Sequence, residues 1–465
     1  MTREPLRKYQ ITGAQFLVTR DRALLGDDTG LGKSAQAIAA AEVRGAGRIL
    51  VLCPAIGRVS WSKEFPKWQD RRPVVLYAPG LKSIPAGDVA LIVTFDTLSR
   101  AASKTRLRNM LERAEEFEAV VIDEAHYLKS PTSNRTKAVY GARLDLKSCV
   151  LTWALREPTK KSVWIMSATI QKANALDLWP HLRALFPDVL EKVLGSHQAA
   201  SKDAFIAMFC NTHEGDYGPV IDGNNAVTMP RLIDAMKPHT LIRRKRDVAP
   251  ELGSVNRVLL PLDVTLPEPE PLQIHEQHFL DGWEHTDTPT VPPPSIMERW
   301  RDLGEAKIEP AAAWIKDFLE ADPDRKLVVF AHHRAVIEGL VGKFPHEAVS
   351  LYGGTSPKQR QISVDRLQSD QACRLFVGQT LAAGTSITLT ASSTVLVLEP
   401  EWAPTDTYQA ISRVHRLGQD EPVTAYFGYA AGTVDERIAA VARRKDIDTA
   451  QFLNGLAAQD LENNN

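Results

Sequence analysis

Short β-branched apolar runs, each closing on a polar or turn residue, recur along this chain with room for a helix between them. Residues 48–53, 89–94, 119–122 and 163–166 make one set; residues 326–331, 348–351, 374–377, 394–398 and 423–427 make a second. Strands that are apolar on both faces belong to parallel sheets covered by helices, so the pattern predicts an α/β fold built twice over. The chain has 465 residues, too many for one core, which agrees with two domains. Between the sets lie Pro261, Pro267, Pro269, Pro271, Pro292, Pro293 and Pro294. That density predicts a connector or an extended surface segment, outside sheet and helix. The expected division is a first lobe at 1–250 with a helical insertion at about 185–246, a proline-rich connector at 251–300, a second lobe at 301–459 and a disordered tail at 460–465.

Within this frame one segment carries chemistry. Asp123-Glu124-Ala125-His126 follows the apolar run 119–122, which predicts a carboxylate pair at the carboxyl end of a buried strand. Upstream, Gly26-Asp27-Asp28-Thr29-Gly30-Leu31-Gly32-Lys33-Ser34 precedes the helix-forming run 35–41. Glycines there let backbone N–H groups turn onto phosphate oxygens, with the positive end of the next helix behind them. Lys33 would reach the β- and γ-phosphates and Ser34 would offer its hydroxyl to Mg²⁺. The strict pattern G-x-x-x-x-G-K-[ST] is not met, because Asp27 stands where its first glycine belongs; the helicase variant [AG]-x-x-x-G-x-G-K-[ST] is. A glycine turn capping a helix is the plain alternative, and the downstream carboxylates weigh against it. In this reading Asp123 holds hydrated Mg²⁺, Glu124 orients and deprotonates the attacking water, and His126 couples the nucleotide to a partner site.

Far downstream, Arg413 and Arg416 are three residues apart and would share one helix face. Projected into a cleft between lobes they would contact a γ-phosphate on closure, as arginine fingers do. A solvated basic face is the bland alternative. Net charge is −1, so bulk charge gives no support for nucleic-acid binding, which would rest on local basic surface. Arg243, Arg244 and Arg246 read equally well as a DNA-facing patch or a solvated helix end. Cys53, Cys149, Cys210 and Cys373 are scattered, which predicts reduced packing residues without disulfides or structural zinc. No apolar stretch has membrane-spanning length and no signal-peptide region opens the chain, so a cytoplasmic location is expected. The compact size suggests a bacterial or phage source.

These motifs, in this order, resemble the Swi/Snf-type ATPases of helicase superfamily two, over nearly the whole chain. The opening segment from Leu6 to Leu17 is similar to the family's first motif, in which Gln10 would read adenine. Residues 49–54 with Trp61, Phe65 and Trp68 resemble motif Ia, residues 93–98 motif Ib, and Ser167-Ala168-Thr169 motif III, although many members carry Gly-Thr-Pro there. Residues 240–248 resemble the family's basic segment late in the first lobe. Residues 328–331 resemble motif IV, and Tyr352-Gly353-Gly354-Thr355-Ser356, Arg360 and 376–390 the blocks through motif V. His415-Arg416-Leu417-Gly418-Gln419 is the most specific piece, since DEAD-box RNA helicases have arginine in place of Gln419. Leu303-Gly304-Glu305-Ala306-Lys307-Ile308 further resembles the annealing-helicase (HARP, SMARCAL-like) subgroup, whose accessory domains are not seen here.

The resemblance implies two tandem RecA-like P-loop NTPase lobes, ATP and Mg²⁺ as cofactors, and duplex DNA bound without sequence specificity. It adds Asp28, Thr29, Gly30, Leu31, Gly32 and Gly384 to the nucleotide-binding residues, and Arg58, Thr94, Thr355 and Thr388 as candidate DNA contacts. Trp61, Trp68, Trp164 and Trp402 are packing residues first and base-stacking candidates second. The expected function is an ATP-dependent double-stranded-DNA translocase, with an unidentified recruiting protein as a possible partner. Alternatives are a strand-separating DNA or RNA helicase and an ATP-switched clamp or scaffold with little turnover.

Overall fold

The computed structural model describes residues 5–55, 57–69, 73–78, 80–168, 170, 174–215, 218–264, 272–285, 292–383 and 387–444. The chain divides into two units whose boundary in sequence falls between Arg243 and Arg244.

The first unit is a seven-stranded sheet. Its strands are β1 Arg22–Leu25, β2 Arg48–Cys53, β3 Val74–Ala78, β4 Val89–Thr94, β5 Ala119–Asp123 and β6 Ser162–Met166; β7 Cys210–Gly215 and β8 Gly218–Asn224 form a separate antiparallel hairpin, and β9 Thr240–Leu241 completes the sheet. Across the sheet the order is β3-β4-β2-β5-β6-β1-β9, and every neighbouring pair is parallel. Helices cover both faces, so β2, β4 and β6 are buried along their whole length, as their unbroken apolar runs require. One apolar layer gathers Leu50, Leu52, Val120 and Ile122 with the helices after β5 and β6. The other gathers Ile49, Val51 and Val121 with the helices Lys8–Val18 and Lys33–Val43.

The register fixes the site. Leu25 on β1 and Asp123 on β5 are both paired with Met166 on the strand between them. The chain leaves β1 into the glycine loop at the same level at which Asp123 ends β5. With strands about 4.8 Å apart, the two lie roughly 10 Å from each other across β6.

The second unit is a six-stranded, all-parallel sheet of β10 Asn256–Leu262, β11 Leu327–Ala331, β12 Ala348–Leu351, β13 Leu375–Gln379, β14 Thr394–Val397 and β15 Thr424–Ala430, in the order β10-β15-β14-β11-β13-β12. The described parts of the stretch expected as a proline-rich connector, 251–264, 272–285 and 292–300, hold a strand and two helices. Pro261 lies inside β10, opposite Tyr429, and is tolerated because β10 is an edge strand with one unpaired side. Helix Ile274–His285 follows, and Pro294 opens helix Pro294–Ala306, where its missing N–H costs nothing. Pro267, Pro269 and Pro271 lie outside the described residues. The expected helical insertion also differs: besides helices it contains the β7–β8 hairpin and the edge strand β9.

The segment around Lys307 turns out to be a packing device. Lys307 is fully buried at the junction of helices Pro294–Ala306 and Ile308–Glu320, where Nζ meets Asp435 Oδ2 at 2.8 Å and donates to the Leu398 carbonyl at 2.6 Å. A Cβ on Gly304 would stand 2.2 Å from Glu399 Oε1, so glycine lets the helix approach that buried carboxylate. Glu399 in turn accepts from the backbone N–H groups of His332 and His333, both at 2.9 Å. All four cysteines are buried free thiols. Among the described residues no helix is long and apolar enough to cross a membrane.

Removing one partner of a buried ion pair strands the other charge, at a cost of about 3–5 kcal/mol. Lys307→Met should lose stability of this size in urea denaturation, and Lys307→Met/Asp435→Leu should regain most of it. A single variant as stable as the parent would contradict the pairing.

Candidate nucleotide site

The glycine loop begins where β1 ends. Gly30 and Gly32 have φ of 83° and 75°, a left-handed backbone that favours glycine and turns the loop back toward helix Lys33–Val43. Gly32 is also needed for space, since a Cβ there would stand 2.4 Å from Gln10 Nε2. Lys33 Nζ donates to the carbonyls of Asp27 at 2.8 Å and Asp28 at 3.3 Å, folded onto its own loop. Ser34 sits half-buried in the first turn of the helix, and Leu31 is buried. Asp28 Oδ1 accepts from the Thr29 N–H at 2.9 Å. Gln10 caps its own helix through the Arg7 N–H at 2.9 Å and donates to the Leu31 carbonyl at 3.3 Å, which seats it against the loop.

Across β6, Asp123 accepts from Trp61 Nε1 at 2.8 Å and from the Glu124 N–H at 3.0 Å. Burial foremost, and then the neighbouring Glu124 charge, raises its carboxyl to about 6, against the opposing pull of the Trp61 hydrogen bond and Lys33. Glu124 adopts φ 50°, ψ 51°, an uncommon conformation for a side-chain-bearing residue and one that clusters at functional sites. Its Oε2 lies 3.3 Å from His126 Nδ1, which hydrogen-bonds Ser167 Oγ at 2.9 Å. His126 thus ties the end of β5 to the segment that follows β6. Thr169 and Gly384 lie outside the described residues.

Nucleotide and cation fit this crevice. Thr29 Oγ1 is buried in the loop without a hydrogen-bond partner, an orphan that a phosphate oxygen would satisfy. The donors for a hard cation are the Asp123 carboxylate and the Ser34 hydroxyl. Among the described residues no cluster of three or more His, Cys, Asp or Glu side chains exists to cage a metal, so the rest of a Mg²⁺ shell would be phosphate oxygen and water.

Several residues prove to have other tasks than expected. Arg243 makes a two-pronged ion pair with Asp27, Nε to Oδ1 at 2.9 Å and Nη2 to Oδ2 at 2.5 Å, while Arg244 and Lys245 are buried. Those three are therefore neither a DNA-facing patch nor a solvated helix end. Thr94 is buried and caps helix Phe95–Ser99, its hydroxyl engaged with Thr97, so its side chain is not offered to DNA. Trp61 and Trp164 are buried and Trp68 is held by Glu64, which leaves no face for a base on the first two. Half-buried Trp402 packs edge-on against Trp283 and Trp300. Arg58 lies over the Tyr77 ring at 5.2 Å.

In the second unit, helix Pro404–Ile411 ends before the arginines, so Arg413 and Arg416 stand on a chain of tight turns and share no helix face. The turns are held by their neighbours. Arg416 Nη1 donates to the Ile387 carbonyl at 2.9 Å, and Gln419 Nε2 to the Ser392 carbonyl at 2.7 Å. His415 Nε2 faces the Leu252 and Gly253 carbonyls, both at 3.2 Å, and Lys245 Nζ donates to the His415 carbonyl. His415 and Gln419 thus set the shape of the loop that carries the arginines, of which Arg413 is buried. Thr355 lines a groove of roughly 590 Å³ with Arg334, Tyr352, Gly353, Ser356 and Arg366, at the N-terminus of helix Pro357–Ser369. Thr388 is half-buried, its carbonyl accepting from Gln368.

Sequence reasoning gave Asp27 and Arg243 no part in holding the loop and did not single out Gln36. The one available signal was the charged residue at the glycine position of the strict phosphate-loop pattern.

Fold and loop together define a P-loop nucleotide-binding protein made of two parallel-sheet units. Residues 9–265 match the SNF2-related domain and residues 310–418 the helicase conserved C-terminal domain. The chain belongs to the SNF2-related family of helicase-like ATPases. It is 28% identical over 443 residues to the SWI/SNF-related matrix-associated actin-dependent regulator of chromatin subfamily A-like protein 1 of Xenopus tropicalis, covering 93% of this chain and 43% of that protein. It is 25% identical over 476 residues to the DNA annealing helicase and endonuclease ZRANB3 of Mus musculus, covering 97% of this chain and 41% of that protein. The chain thus spans about two fifths of the length of these curated relatives. A solved Sulfolobus solfataricus SWI2/SNF2 ATPase core in complex with dsDNA aligns over 97% of this chain and 95% of its own, at 19% identity and a TM-score of 0.42.

The Asp123 carboxyl gives a pH prediction. Its value in the folded, nucleotide-free protein lies above the ordinary 3.8, so between about 4 and 6 the folded state holds more protons than the unfolded one. Stability from this group is then lost as pH rises through that window. Asp123→Asn should raise the Tm of the nucleotide-free protein by a few degrees at pH 7.5 and change it little at pH 4. An equal change at both pH values would contradict the assignment.

Proposed function

We propose that this chain is an ATP-driven motor that tracks along duplex DNA without reading its sequence. The observation that carries the reading is the placing of the Lys33 loop and the Asp123-Glu124 pair at one sheet edge, on either side of β6, in a chain of the SNF2-related family. Lys33 leaves the Asp27 and Asp28 carbonyls for the phosphates of incoming ATP. The loop N–H groups and the N-terminus of helix Lys33–Val43 hold those phosphates, with Gln10 beside the base. Ser34 and Asp123 would hold Mg²⁺, which supplies charge neutralisation on the phosphates when bound. Glu124 accepts the proton of the attacking water, and His126 with Ser167 keeps its carboxylate in place. Arg413 and Arg416, supplied by the second unit, meet the charge that develops on the γ-phosphate.

DNA enters as a second substrate class. The two relatives are named for chromatin regulation and for DNA annealing-helicase activity. Thr355 and Ser356, in the groove at the start of a 13-residue helix, are suited to a backbone phosphate, and Arg58 and Thr388 are further candidates. Contacts to phosphates carry no sequence information and weaken steeply with salt.

The test is steady-state ATP hydrolysis with duplex DNA, single-stranded DNA and RNA side by side. Duplex should stimulate most, and stimulation by RNA alone would overturn the proposal in favour of an RNA helicase. Lys33→Ala and Arg416→Ala should each lower kcat by about 10³-fold or more, Arg416→Ala with little change in ATP affinity. Glu124→Gln should bind ATP yet turn it over slowly. An Arg416→Ala protein hydrolysing ATP at the parental rate would remove the second unit from the mechanism.

A further inference from the structure

Arg243 closes the first unit, one residue before the second begins, and it is tied into the phosphate loop by more bonds than a chain terminus needs. Its guanidinium grips both oxygens of Asp27, a carboxylate with no solvent exposure at all. The Nη2 group also donates to Gln36 Oε1 at 2.8 Å, and Nη1 donates to the Tyr9 carbonyl. The Arg243 carbonyl accepts from the Asp28 N–H at 2.9 Å, and two residues earlier the Leu241 carbonyl accepts from the Gly26 N–H at 2.8 Å. The three residues that open the loop are therefore pinned by the segment leading out of β9.

Gln36 extends the grip. Its Nε2 donates to Asp27 Oδ2 at 3.0 Å and to the Leu31 carbonyl at 3.2 Å, and that same carbonyl receives Gln10 Nε2. One continuous polar network thus runs from Arg243 through Asp27 and Gln36 to Leu31 and Gln10. Lys33 rests on the carbonyls of Asp27 and of its neighbour Asp28. The first helix leaves space for this network at Gly13, where a Cβ would stand 1.8 Å from Gln36 Oε1 and 2.6 Å from Arg243 Nη2.

We propose that Arg243 is a positioning residue of the nucleotide site: acting through Asp27, it holds the phosphate loop in its receptive form and makes ATP affinity depend on the segment that joins the two units. The inference rests on the nucleotide reading above. Asp27 is then the reason the strict loop pattern is broken, because this loop is set from outside by an ion pair. Preordering a loop strengthens binding by removing the cost of ordering it when ligand arrives. Loss of the pair therefore raises KM for ATP more than it lowers kcat, since Lys33, Asp123 and Glu124 remain in place.

Three full-length variants test this by titration with a fluorescent mant-ATP, alongside ATP hydrolysis and thermal melting. Arg243→Lys keeps the charge and loses the fork. Asp27→Gly restores the strict loop pattern and leaves Arg243 without its carboxylate. Arg243→Met/Asp27→Leu replaces a buried ion pair by apolar groups, an exchange that is commonly neutral for stability. The expected result is at least about tenfold weaker mant-ATP binding in both single variants, with kcat at saturating ATP within about threefold of the parent. The double variant should regain the parental Tm and stay about tenfold weak for nucleotide. Arg243→Lys or Asp27→Gly binding within twofold of the parent would overturn the inference. So would a double variant that recovers affinity together with Tm, and it alone decides if a single variant fails to fold. A parent protein that does not bind mant-ATP overturns the nucleotide reading and this inference with it, whereas a binding parent with indifferent variants overturns only the latter.

Discussion

A parallel sheet delivers the carboxyl end of every strand to one edge, and the account of this protein depends on that constraint. Met166 on β6 is in register with both Leu25 and Asp123, so the chain turns into its phosphate loop beside the very strand end that carries the carboxylates. Neither the loop nor the carboxylate pair defines a reaction alone. Set roughly 10 Å apart across one intervening strand, they frame the crevice that the proposed triphosphate and cation would occupy. Slipping β5 by one residue would turn Asp123 to the other face of the sheet and end the arrangement.

Buried charge is the second theme. Asp27, Lys307, Glu399 and Asp435 lie out of water and Asp123 is half-buried; their partners are, in turn, Arg243 and Gln36, Asp435 and the Leu398 carbonyl, the His332 and His333 N–H groups, Lys307, and for Asp123 Trp61. Asp123 differs from the others. Its partners are few enough that burial, with the neighbouring Glu124 charge, wins and its carboxyl rises to about 6. Three of the others organise backbone: Asp27 the phosphate loop, Glu399 the turn after β11, Lys307 the end of β14.

Much of the fold was legible because parallel strands are apolar on both faces. β2, β4 and β12 have the bounds their runs predict, and β5, β6, β11, β13, β14 and β15 lie within a few residues of theirs. Three edge strands of the two large sheets were not legible, unlike the edge strand β12. β3 has partly exposed faces, β9 is two residues long, and β10 carries a proline, so none has the buried run that marks a central strand. Of the candidate site, the placing of Lys33 and Ser34 behind a glycine loop and of Asp123 and Glu124 at a strand end could be read, because local spacing dictates it. Arg243 could not be, because its partner lies 216 residues away and a basic run looks the same on a surface as in a core. Arg413 and Arg416 were placed on a helix by their spacing, but the helix stops at Ile411 and hydrogen bonds from Arg416 and Gln419 to the segment 387–392 shape the turns instead.

The central claim is that fuel is gripped between the β1 loop and the β5 carboxylates. A crystal structure of the full chain with MgADP and beryllium fluoride tests it most directly. The account predicts Lys33 Nζ withdrawn from the Asp27 and Asp28 carbonyls onto the phosphate mimic, with Asp123 facing the cation. Nucleotide found elsewhere, or Lys33 still resting on its own loop with the crevice filled, would contradict it.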